Sequence, residues 1–191
     1  QISENTSTGE EIVIGFDTGP FNHFIDCLAR SEAELPCDFD GQIGRRGQIE
    51  FPLLRALFEQ AVKTSDGGNF LLRPPPKSSD PAWYQIIPEL KDKRISLENR
   101  IRTAEFFSAY IFAYSLKYIP GDVSLPQHFL TFGGGWRNPV VKEDFCSLLQ
   151  GKTDVLPQHR LIFQKIALPA AQISPSDAFG YNGQFMEARI F

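Results

Sequence analysis

Three consecutive glycines, Gly133-Gly134-Gly135, follow an apolar stretch ending in Phe132 and precede Trp136-Arg137-Asn138-Pro139. Glycine has no Cβ, so its amide can come close to a ligand. Asn at the cap and Pro at the first helical position start a helix. A helix start offers unpaired N–H groups and a positive dipole end. A strand–glycine–helix corner of this kind suits a phosphate or a nucleotide. It suits a tight, ligand-free turn equally well, and the residues alone leave both readings open. No Lys-Ser or Lys-Thr follows at P-loop spacing, and the GxGxxG fingerprint is absent.

A second turn, Asp17-Thr18-Gly19-Pro20, ends the apolar run Glu11 to Phe16. An Asp there can orient a magnesium-bound water or a ligand hydroxyl, or it can bond its own backbone as an Asx-turn. Asp38-Phe39-Asp40-Gly41 invites a calcium reading that fails. With Gly41 at the invariant loop glycine, Pro36 falls at the first ligand position and Gly47 where a bidentate Glu belongs. Glu187, in Phe185-Met186-Glu187-Ala188, is a lone helical carboxylate, a type that most often faces solvent. No GxSxG, HExxH or catalytic Cys/His spacing is present. Cys27, Cys37 and Cys146 lack CxxC spacing and predict reduced thiols in a cytoplasmic protein. His23, His128 and His159 show no ligand spacing, and the sequon Asn5-Thr6-Ser7 is a short pattern common by chance.

The elements that must position these groups are legible in outline. Phe21, Phe24, Ile25, Leu28 and Ala29 form one helical stripe, with Asn22 where a cap belongs; Leu54, Leu57, Phe58 and Ala61 form another. Leu97 to Tyr118 is the strongest helix, with Ser96 as N-cap, charges crowding its first half and apolar residues its second, so it predicts burial between layers. Val141, Phe145, Leu148 and Leu149 give the helix after the glycines its buried stripe, and Gly151 ends it. Arg160 to Leu168 reads as a strand, and Asn182 to Phe191 as the start of a helix with no stop signal. Pro74-Pro75-Pro76-Lys77-Ser78-Ser79 is either a linker or a rigid segment held against the surface, the aromatic flanks favouring the second.

Alternating short strands and helices predict α/β layers. The 191 residues suffice for one domain with its own core. Hydrophobic residues at 42% and charged residues at 22% exclude a disordered chain, a collagen and a coiled coil. A net charge of −4 gives nothing to attract nucleic acid. No apolar run approaches the about 20 residues of a membrane span, and the polar start, Gln1 to Glu11, predicts no signal peptide.

In order as well as in kind, these segments resemble the 1,6-anhydro-N-acetylmuramic acid kinases. Gly15-Phe16-Asp17-Thr18-Gly19-Pro20 with Asn22 and Asp26 resembles their GFDTGPGNxxxD segment. Asp38-Phe39-Asp40-Gly41 with Gly44 and Gly47 resembles the DxDG loop, and Pro74 to Ser79 the PPKST segment. Gly133 to Pro139 resembles GGGxxNP, and Met186-Glu187-Ala188 the terminal MEA. The chain departs at two places: Phe21 stands where the family has Gly, and the pair Trp136-Arg137 replaces a small residue plus His.

The resemblance covers the C-terminal half of such an enzyme and implies a ribonuclease-H-like lobe of the actin-like ATPase type, a mixed sheet packed by helices. Residues 1–191 are then one C-terminal ATP-binding lobe of a two-lobe kinase. The N-terminal lobe, with the first phosphate loop and the catalytic base, is expected to be missing. The implied reaction is ATP-dependent, with Mg²⁺: water opens the 1,6-anhydro bridge while O6 takes the γ-phosphoryl group. The implied partners are the sugar, the missing lobe and, as a candidate assembly, a second copy of the chain. Gly133, Gly134, Gly135 and Asn138 are implied as nucleotide contacts, Asp17, Gly19 and Asn22 as cleft residues near the phosphates, and Glu187 as a sugar contact. No residue is assigned to catalysis or to metal. The departures leave two alternatives: a non-catalytic relative that binds nucleotide or sugar, and a sister kinase for another sugar.

Overall fold

A computed structural model describes residues 2–4 and 11–181. The helix expected over 182–191, with Glu187, and the Asn5 sequon lie outside the described residues. The architecture is α/β, with helices and a small parallel sheet. Strands β1 (Ile2–Glu4) and β2 (Glu11–Val13) pair antiparallel, Ile2 opposite Val13. Strands β3 (His128–Thr131) and β4 (Gln172–Pro175) pair parallel, His128 opposite Gln172. The expected single mixed sheet is thus present, among the described residues, as two two-stranded pieces. The run expected as one strand from Glu11 to Phe16 is ladder-bonded only to Val13.

Helices α1 (His23–Glu32), α2 (Phe51–Gln60), α4 (Pro139–Leu149) and the short α5 (Arg160–Lys165) pack around α3 (Leu97–Ser115). Ser96 caps α3 as expected, its Oγ accepting from Asn99 N at 3.2 Å. Phe106, Phe107, Tyr110 and Ala113 of α3 are wholly buried. Of the charges that crowd its first half, Arg100 and Glu105 are also buried. Arg100 meets Glu32 of α1 through two bonds of 2.7 Å, and its neighbour Arg102 meets Asp144 of α4 through bonds of 2.5 and 2.6 Å. Bidentate pairing is what makes a buried guanidinium tolerable. The Arg100 bonds hold the Glu32 carboxyl well down, to about 2.

The segment expected as a strand over Arg160 to Leu168 is α5 and its C-terminal cap. Pro157 opens a helical turn immediately before it, and Phe163 and Ile166, three apart, enter the core, with Leu168 following beyond the helix. That is helical spacing, and the apolar triplet Leu161-Ile162-Phe163 hid it: Leu161 is 72% exposed. The three cysteines are free thiols. Among the described residues no helix is long and apolar enough to cross a membrane.

Candidate functional site

The glycine corner has the expected order. Strand β3 ends at Thr131, the chain turns at Gly133 with φ +84, and a helical turn over Gly134–Arg137 leads to α4. The positive φ is one that side-chain-bearing residues seldom adopt. Asn138 caps α4, its Oδ1 accepting from Val140 N at 3.0 Å. Its Nδ2 donates to Glu105 Oε1 at 2.7 Å, so both ends of this amide serve the fold.

The three glycines differ in what surrounds them. A Cβ built on Gly133 or Gly134 would meet no atom within 4 Å. On Gly135 it would lie 2.5 Å from the Phe21 ring and 3.0 Å from Asn22 Oδ1. The Phe21 ring also lies against Trp136, and Ser108 of α3 donates its hydroxyl to the Phe21 carbonyl. Two faces of the triplet are therefore open and the third is covered.

A cleft of about 390 Å³ opens beside Gly134. Asn138 and Arg137 line one side, Asn22 and Asp26 another, and the Asp38–Asp40 turn a third. Asn22 stands at the start of α1 but its side chain does not cap it. Its Oδ1 is instead buried without a hydrogen-bond partner among the described residues, an orphaned acceptor at the cleft. Asp38 is built in: its carboxylate accepts from Ile43 N at 2.9 Å and Gly44 N at 2.8 Å. Gly41, at φ +68, lies so close to α4 that a Cβ would fall 2.4 Å from Val140 Cγ2. Among the described residues no cluster of three or more His, Cys, Asp or Glu could hold a metal unaided. The residues present suit a metal that arrives on phosphates and needs only one or two carboxylates.

Asp17 and Gly19 do not line this cleft. Asp17 does not bond its own turn; its Oδ2 accepts from Ser79 N at 2.7 Å and from the hydroxyls of Ser78 and Ser79 at 3.1 Å. The Asp17 amide donates to Lys77 O at 3.1 Å. The proline segment is therefore the rigid piece of the two expected possibilities, pinned from 61 and 62 residues away. Lys77 Nζ sits 4.7 Å from the ring centres of both Phe70 and Tyr118, and burial, with the nearby charge of Lys117, pushes its amine down to about 8. Gly19, at φ +140, is a packing glycine: a Cβ would fall 2.8 Å from Ile111 of α3.

A larger cavity of about 580 Å³ is lined by Trp136, Phe16 and Phe129, with Phe112 of α3 and Leu116 just after it. Its lining is mostly apolar, which suits neither phosphate nor sugar. Sequence reasoning missed Glu105 and Arg137 as parts of the site. Arg137 was legible from its place two residues after the glycines. Glu105 carried one signal, its position in Ala104-Glu105-Phe106-Phe107 among apolar residues.

The family model for anhydro-N-acetylmuramic acid kinase matches residues 5–165. The anhydro-N-acetylmuramic acid kinase of Rhizorhabdus wittichii is 28% identical over 183 residues, 96% of this chain and 41% of the relative. Those of Roseobacter denitrificans and Rhodospirillum rubrum are each 27% identical, over 94% and 96% of this chain and 39% and 40% of the relatives. The chain spans about two fifths of the curated relatives it matches.

Proposed function

The chain belongs to the anhydro-N-acetylmuramic acid kinase family, and from that premise we propose that it forms the C-terminal, nucleotide-binding lobe of a two-lobe sugar kinase with a ribonuclease-H-like core. In the whole protein, ATP gives its γ-phosphoryl group to O6 of the anhydro sugar. Water attacks C1 and opens the 1,6-bridge, so that N-acetylmuramic acid 6-phosphate and ADP leave. A cytoplasmic location, and a sugar site completed by the other lobe and by Glu187, go with this reading.

The observation that carries it is the open face of Gly133 and Gly134 at the head of a capped helix, with a cleft beside it. Bare amides and the α4 dipole would hold phosphate oxygens there, with the Arg137 guanidinium adding a full charge. The orphaned Asn22 Oδ1 would accept from a ligand hydroxyl. Magnesium would enter with the phosphates, and the cleft carboxylates Asp26 and Asp40 would meet its water shell. When bound, it would neutralise the charge that develops during transfer. Asp17 and Gly19 act through structure in this reading, placing the proline segment and α3 beside the phosphates.

Gly134→Asp is the test. The open space at Gly134 admits a side chain without a clash, so thermal unfolding should stay close to wild type. Its carboxylate would repel phosphate, so ATP affinity of the full-length protein should be lost. Unchanged affinity would remove the nucleotide from this corner. One observation favours the second reading, a non-catalytic nucleotide binder: the Phe21 ring covers the side of Gly135 where a Cβ would stand, which narrows the open face of the triplet. Sugar phosphorylation by the full-length protein would dismiss it.

A further inference from the structure

Glu105 has none of its surface exposed and lies beneath the cleft, between two of its walls. Its Oε1 accepts from Asn138 Nδ2 at 2.7 Å, on the α4 side. Its Oε2 has no hydrogen-bond partner among the described residues. That oxygen bears on Gly44, where a Cβ would fall 1.9 Å from it. The Gly44 amide in turn donates to Asp38, which lines the opposite wall. One carboxyl group thus touches both the helix cap and the 38–47 turn.

We infer that Glu105 is the positioning residue that keeps these two walls together, and that it does so as the neutral acid. A charged Oε2 packed against Gly44 with no donor would be among the costliest arrangements a fold can hold. The surrounding charges offer only partial relief: Arg102 draws the carboxyl down a little, while Asp38 and Asp144 push it up. Asp38 faces it from the turn with a charge of the same sign. Arg45, also on the turn, is committed to Glu143 at 2.6 Å. Arg102, on its own helix, is committed to Asp144 of α4. Burial, opposed by the Asn138 bond and reinforced by Asp38, accordingly pushes the Glu105 carboxyl up to about 8. Loss of the proton would draw water to Oε2 and part the 38–47 turn from α3. Given the nucleotide reading above, affinity in the cleft then falls as pH rises past that value.

The carbon-13 carboxyl resonance of Glu105 in the wild-type protein gives its titration directly. An inflection near 8 is expected; one in the ordinary glutamate range, about 4.3, overturns the inference. Glu105→Gln keeps the shape and removes the proton. Relative to the variant, wild-type thermal stability should fall between about pH 4.3 and 8, because a carboxyl whose folded pKa is raised above its unfolded value contributes stability that is whole below the unfolded value and is lost as pH rises through the folded one. Parallel profiles overturn the inference. Nucleotide affinity of the full-length wild type should weaken up to about tenfold per pH unit above 8, and that of Glu105→Gln should not. If no nucleotide binds at any pH, the nucleotide reading falls, and the titration and stability profiles still decide the role of Glu105.

Discussion

Phe21 and Trp136 lie in contact, their ring centres 4.9 Å apart. Both belong to the places where the chain departs from the pattern it resembles, Trp136 together with Arg137, and the structure joins the two rings in one change. A ring in place of glycine needs something to lie against, and the second ring supplies it. Trp136 is itself backed by Phe112 and Phe145, at 5.3 and 5.7 Å. The pair covers Gly135 and leaves the faces of Gly133 and Gly134 clear.

Phe21→Ala should therefore separate stability from binding. Removing the ring should cost about 1–3 kcal/mol in unfolding free energy, from lost burial and ring contact. It should also open the covered side of Gly135 to a ligand. One more amide bond to a charged phosphate is worth about 1.5 kcal/mol, so calorimetry on the full-length variant should find ATP bound roughly tenfold tighter. Weaker binding would show that the ring forms part of the ligand site.

Glycines of similar appearance in the sequence should respond in opposite ways. A Cβ on Gly47 would fall 2.2 Å from the backbone carbonyl oxygen of Glu98, which cannot swing aside as a side chain can. Gly47→Ala should cost about 3 kcal/mol or more in urea unfolding. Gly134→Ala, with open space around it, should stay within about 0.5 kcal/mol of wild type.

The acid side of the stability profile should carry the mark of His159. Its ring is buried, with Nδ1 bonded to the Tyr110 hydroxyl at 2.8 Å and Phe58 beside it at 4.4 Å. Burial, reinforced by the charge of Lys117, pulls its pKa down to about 4. The folded value lies below the unfolded one, so this contribution is whole above about pH 6.5 and is lost as pH falls toward 4. The loss should be on the order of 2 kcal/mol. His159→Gln should flatten the thermal profile over that window; an unchanged slope would assign the acid loss to the paired carboxylates, Glu32 first.

Much of this was legible in the sequence because the relevant signals are local. The stripes of α1 and α2, the Ser96 cap, and the glycine corner with Asn138 and Pro139 each follow from residues a few positions apart. What stayed hidden depends on distance. Arg100 and Glu105 showed only as charges crowding the first half of a helix, because their partners, Glu32 and Asn138, lie 68 and 33 residues away. Asp17 looked like the keeper of its own turn because Ser79 is 62 residues on. The α5 segment was misread for a local reason, an exposed Leu161 that filled the gap in a helical pattern.

Arg100 and Arg102 stand two positions apart on one helix, about 200° around its axis, and so reach in nearly opposite directions. One grips the end of α1 and the other the middle of α4. A rotation of α3 that eased one grip would strain the other, so the central helix works as a cross-braced axle. The two helices that flank the glycine corner are thereby geared together. Any swing that admits or releases a ligand falls to the short turns between them.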